Sequence, residues 1–142
     1  MYNIRVCTMR SRTVAEQSQH LGEDAKLLGF PEYILAKRSP LGKVVFDKPY
    51  FLLVEAKQDN FEAAWAQCLA EMIAAQAINS APELVIYGIA SNGSTWQFGK
   101  LEKTTFTKSP RPSSIYELDN LFAAVNFVFQ ACEQKLMSLA AT

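Results

Sequence analysis

Two charged side chains close an apolar run. Tyr50 to Val54 reads YFLLV without a break, and Glu55 and Lys57 follow with only Ala56 between them. On a strand, residues two apart point to the same side, so a carboxylate and an ammonium address one space. The run itself reads as a strand buried on both faces. Charges at the end of such a strand are paired, hydrated or hold something. Gln58, Asp59 and Asn60 form a turn, and a long helix opens at Phe61. The pair therefore stands at a strand-to-helix junction.

The elements that must position this junction follow from periodicity. Thr13 to about Leu28 suits a helix, with Thr13 and Glu16 as a capping box and Gly29 as its end. Residues 31–38 (PEYILAKR) read as a strand, a turn follows at Ser39 to Gly42, and KVVFD (43–47) is a short strand broken by Lys48-Pro49. Residues 60–79 form a helix capped by Asn60, with Phe61, Trp65, Cys68, Leu69, Met72 and Ile73 on its apolar face. Its many alanines let it lie close to a sheet. Leu84 to Ile89 is a second buried strand, Ser91-Asn92-Gly93-Ser94 a turn, and TWQFGKLE (95–102) a half-buried hairpin partner. A polar segment carrying Pro110 and Pro112 leads to a helix over about 114–139. Trp65 and Trp96 read as packing residues rather than as base-stacking platforms. The order predicts an α/β or α+β fold, a mixed sheet flanked by helices, in one domain over residues 1–142.

Composition narrows the function. Lys plus Arg and Asp plus Glu number 14 each, which argues against strong non-specific binding of duplex DNA by this domain alone. Cys7, Cys68 and Cys132 are widely spaced and in no CxxC pair, and His20 is the sole histidine, so no zinc set is expected. The thiols suggest a reducing, cytoplasmic setting. The N-terminal residues MYNIRVCTMRSR have no apolar signal core, and no run reaches membrane-spanning length, so no membrane association is expected.

A buried strand ending in E-x-K, preceded by an acid-bearing strand and followed by a helix, resembles the PD-(D/E)XK nuclease superfamily. More narrowly, VEAKQDNFEAAWAQCLAEMIAAQAIN resembles a bacterial and cyanobacterial family related to the N-terminal nuclease domain of type I restriction R subunits. The likeness runs from about Phe30 to Leu121 and takes in STWQFGKLE and ELDNL. It implies a restriction-endonuclease-like core in which two carboxylates bind Mg²⁺ or Mn²⁺ and the lysine steadies or deprotonates the attacking water. Hard cations favour carboxylate ligands, and phosphodiester hydrolysis needs both charge stabilisation and a hydroxide-like nucleophile.

The resemblance assigns Glu55 and Lys57 to the E-x-K pair, Gln67 to a helix glutamine facing the site, and the first acid to Glu32. Glu32 stands in FPEYIL, where the family's motif usually has Asp. Asp47 competes for that role. If 47 and 50 flank a tight turn, however, Glu55 lies roughly 16 Å further along the strand at ~3.3 Å per residue. Glu32 fits if residues 32–38 pair with 51–57, but not if KVVFD lies between them as a middle strand. Glu16 and Glu23 are further candidates for a helix-borne acid.

Two functions are expected from these residues. The first is a metal-dependent nuclease acting on nucleic acid, DNA ahead of RNA, with metal ligands Glu32 and Glu55. No P-loop is present in the sequence, so an ATP-driven motor would be a separate protein. The second is a non-catalytic relative serving as a binding or assembly module, as a homodimer through Phe122, Phe127 and Phe129 of the last helix.

Overall fold

The computed structural model describes residues 4–8, 33–37, 47–57 and 60–141. The expected helix near 13–28 and the segment 43–46 lie outside them. Three strands open the described chain: β1 (Ile4–Thr8), β2 (Tyr33–Lys37) and β3 (Asp47–Ala56). They pair as antiparallel neighbours, β1 with β2 and β2 with β3. Helix α1 (Phe61–Asn79) then carries the chain over the sheet to β4 (Ile86–Ser91), which runs parallel to β3. β5 (Thr95–Glu102), β6 (Thr105–Lys108) and β7 (Ser113–Ser114) extend the sheet, and α2 (Leu118–Ala140) ends it. The result is a mixed α/β fold with the strand order β1-β2-β3-β4-β5-β6 and β7 paired to β5.

The two helices bury opposite faces. Ala64, Trp65, Cys68, Met72, Ala75 and Ile78 form the inner stripe of α1 and pack with Ile34, Ala36, Tyr50, Ile86 and Ala90. Leu121, Val128, Cys132 and Leu136 of α2 pack with Leu35, Phe51, Leu52, Ile89 and Phe98. A helix and a sheet each hide one apolar side this way, at about 25 cal/mol per Å² of apolar surface. Asn60 caps α1 as expected, accepting from the Ala63 amide at 3.0 Å. Small residues let α1 approach closely: a Cβ on Gly88 would stand 2.7 Å from Met72 Sδ and 3.0 Å from Cys68 Sγ.

Trp65 packs as expected. It is buried, its ring lies 5.4 Å from that of Phe106, and its indole N–H donates to Gln97 Oε1 at 2.6 Å.

The strand bearing Glu55 is longer than the sequence suggests. Lys48-Pro49 does not end it; β3 begins at Asp47, which opens a strand rather than a turn. The physical reason is a double irregularity in the ladder. Leu35 faces Leu52, Ala36 faces Tyr50 and Lys37 faces Asp47, so extra β3 residues, Pro49 among them, have no partner on β2. A proline lacks the N–H a ladder requires and is accommodated where pairing skips. The skip at Phe51 also changes the facing of the strand. Tyr50 packs under α1, whereas Phe51 and Leu52 both join the α2 core. From Leu52 the alternation returns Glu55 to the α1 side.

Asn79, the last residue of α1, completes the start of β3. Its side chain accepts from the Tyr50 amide and donates to the Tyr50 carbonyl, both at 2.8 Å. These two bonds tie the end of α1 to β3 before β4 begins to pair, at Leu52.

Three further differences from expectation are local. β4 starts at Ile86 rather than Leu84, because Leu84 donates back to the Ala81 carbonyl in a turn. The polar segment before the last helix contains β6 and β7, short strands that pair with the edge of β5. Ser114 belongs to β7, so α2 begins at Leu118. Among the described residues no helix is long and apolar enough to cross a membrane.

Candidate functional site

β3 and β4 are parallel and finish together, with Glu55 beside Ala90 and Ala56 beside Ser91. The Lys57 amide donates to the Ser91 carbonyl at 2.9 Å, which carries the pairing one residue past β3. Glu55 therefore sits on a fixed backbone at the carboxyl end of a buried strand. It is only 2% exposed.

α1 crosses above it. Gln67 and Glu71 lie four residues apart and share a face of the helix. The Gln67 amide donates to Glu55 Oε1 and to Glu71 Oε1, each at 3.2 Å. Two oxygens on one nitrogen are separated by no more than twice that distance, so the carboxylates are neighbours. Glu71 is 2% exposed, and its Oε2 has no hydrogen-bond partner among the described residues.

Burial pushes the Glu71 carboxyl well above the usual range, and the charge of Glu55 pushes it further. A hydrogen bond to Glu55 acts in the same direction, since two carboxylates bond to each other only through a proton. The Gln67 amide and the Lys57 ammonium oppose the shift, because both favour the ionised form. The Cys68 thiol, fully buried beside the pair, is also pushed up, first by burial and then by Glu71 and Glu55.

Of the residues singled out from sequence, Glu55, Lys57 and Gln67 come together here. Glu55 and Gln67 touch, and Lys57, exposed at the rim, acts electrostatically on Glu71. Glu32, Glu16 and Glu23 lie outside the described residues. Asp47 opens β3 and Glu55 nearly closes it, roughly 25 Å apart at ~3.3 Å per residue, so Asp47 takes no part at this junction.

Sequence reasoning missed Glu71. The available signal was a carboxylate between Cys68 and Met72 in the buried stripe, one turn from Gln67.

Among the described residues no three His, Cys, Asp or Glu side chains gather as a metal set. Two buried carboxylates with one unpartnered oxygen nevertheless match what a hard divalent cation binds. Comparison of the chain with family models, with curated proteins and with solved structures gives no match in any of the three.

Proposed function

We propose that the protein is a divalent-metal-dependent nuclease with a restriction-endonuclease-like core, hydrolysing phosphodiester bonds of nucleic acid, with DNA the favoured substrate. The observation that carries this reading is the group Glu55, Lys57 and Gln67 at the joint end of β3 and β4. In open α/β sheets ligands bind outside the carboxyl ends of the parallel strands. β3 and β4 are parallel neighbours, and Glu55 and Lys57 stand at their shared carboxyl end.

Glu55 and Glu32 would hold Mg²⁺ or Mn²⁺. Glu32 immediately precedes Tyr33 in the sequence, and Tyr33 faces Val54, the residue before Glu55. When bound, such a cation stabilises charge on the phosphate oxygens and makes water more acidic. Gln67 fixes the Glu55 carboxylate by its 3.2 Å bond. Lys57 extends from the rim, where its ammonium attracts a phosphate and steadies the attacking water. Burial of Glu55 and Glu71 excludes bulk water from the acid side of the site. A cytoplasmic setting accords with the free thiols Cys68 and Cys132.

The test is cleavage of single-stranded DNA, duplex DNA and RNA with Mg²⁺, Mn²⁺ or chelator. Chelator-reversible cleavage lost in Glu55→Gln and Glu32→Gln supports the reading. Activity retained in both variants overturns it.

One observation favours the second reading, a non-catalytic assembly module. Phe122 and Phe127 of α2 are 63% and 67% exposed, apolar area that a homodimer would cover. Sedimentation that gives a dimer in the wild type and a monomer in Phe127→Ser, with neither cleavage nor metal binding, would select it.

A further inference from the structure

We infer that Glu71 is itself a ligand of the divalent cation, paired with Glu55 and held in place by Gln67. The inference rests on the reading that this site takes such a cation. It adds a helix-borne carboxylate that neither the E-x-K pair nor the acid before β2 supplies.

The geometry argues for it in three steps. Glu71 is as deeply buried as Glu55, at 2% exposure each, although α1 has solvent-facing positions at Glu62, Ala66 and Ile73. A carboxylate is retained in such a place only with partners that compensate for lost hydration. Gln67 supplies one partner, to Oε1. With both acids ionised, the proton-mediated bond to Glu55 is lost and Oε2 has no donor among the described residues. A buried acceptor without a donor costs about 1–3 kcal/mol, and more when charged. A cation on Oε2 would remove that cost.

The placement of Gln67 is consistent with this role. Its one amide nitrogen engages Oε1 of both acids, which turns the two carboxylates toward a common space. Gln67 is a positioning residue here, and the ligands are the two acids. Oxygen donors and the absence of His from the pair favour Mg²⁺ or Mn²⁺ over softer ions.

A purely structural carboxyl, kept protonated to bond Glu55, is the competing role. The variant Glu71→Gln separates the two. Its amide N–H can still donate to Glu55, so the fold is retained, but its negative charge is gone. Glu71→Asp keeps the charge on a shorter arm and guards against a folding artefact.

The probe is Mn²⁺ itself, titrated into the full chain by calorimetry and by the loss of free-ion paramagnetic signal, with circular dichroism as the fold check. Wild type is expected to bind, Glu71→Gln to bind at least tenfold more weakly, and Glu71→Asp to fall between them. Glu62→Gln, altered at an exposed position of the same helix, is expected to match wild type. Wild-type affinity in folded Glu71→Gln overturns the inference while leaving a metal site at Glu55 intact. Absence of Mn²⁺ binding in the wild type overturns both. Weakened binding in Glu71→Gln, with no cleavage by any protein, supports the inference and removes only the nuclease reading.

Discussion

Gln67 donates to Glu55 across the boundary between helix and sheet, from the second turn of α1 to the end of β3, at 3.2 Å. The same nitrogen reaches Glu71, so one side chain sets the orientation of both acids. Gln67→Ala is expected to lower stability by about 1–3 kcal/mol, the cost of leaving buried acceptors unsatisfied. It is also expected to weaken Mn²⁺ binding, because the acids lose their common orientation. Urea unfolding and calorimetry read the two effects separately.

The carboxyl pair predicts a pH dependence of the metal-free protein. Glu71 takes up its proton more readily folded than unfolded, owing to burial and to Glu55. Between the unfolded carboxylate range and the raised folded one, the native state binds more protons. Stability from this group is then fully present below the unfolded value and lost as pH rises, with a limiting slope of about 1.4 kcal/mol per pH unit. Glu55, Lys57 and Cys68 are the other titratable groups facing it and are present in both proteins. In chelator, midpoints of urea unfolding from pH 5 to pH 9 should fall more steeply for wild type than for Glu71→Gln. Parallel curves would contradict this.

Close approach of α1 to β4 makes Gly88 intolerant. A methyl there meets Met72 Sδ at 2.7 Å and Cys68 Sγ at 3.0 Å, both buried. Gly88→Ala is expected to cost about 1–3 kcal/mol, as overpacking of a filled core does. Because Cys68 adjoins Gln67, the same variant should also disturb Mn²⁺ binding.

Asn79→Ala removes both bonds to the Tyr50 backbone. About 2 kcal/mol of destabilisation is expected, from the loss of two hydrogen bonds at about 1 kcal/mol each. Hydrogen exchange at the Tyr50 amide should quicken in this variant more than exchange at the Glu55 amide.

How much of this was legible in the sequence follows from what each residue depends on. The α1 cap and stripe, the β5 hairpin partner and the same-side placement of Glu55 and Lys57 are local consequences of spacing. The α/β order followed from them. The course of β3 through Lys48-Pro49 was not legible, because it depends on irregular pairing with β2 that only the assembled ladder reveals. β6 and β7 escaped notice because short edge strands with exposed polar residues carry no apolar period. Glu71 was hidden for a related reason. Its meaning comes from Glu55, sixteen residues earlier in the chain and on a different element, and helical spacing alone reads it as one more polar position.

The proposed function requires Lys57 and its acidic neighbours to cut nucleic acid. The most direct measurement is single-turnover cleavage of a labelled DNA strand, free and in duplex, in Mn²⁺ and in chelator, by wild type and by Lys57→Ala. Metal-dependent cleavage by wild type is expected, with a rate lower on the order of a hundredfold in the variant, the loss typical of a positioned charge or proton-transfer group. Equal rates in the two proteins, or no cleavage of either substrate by wild type, would contradict it.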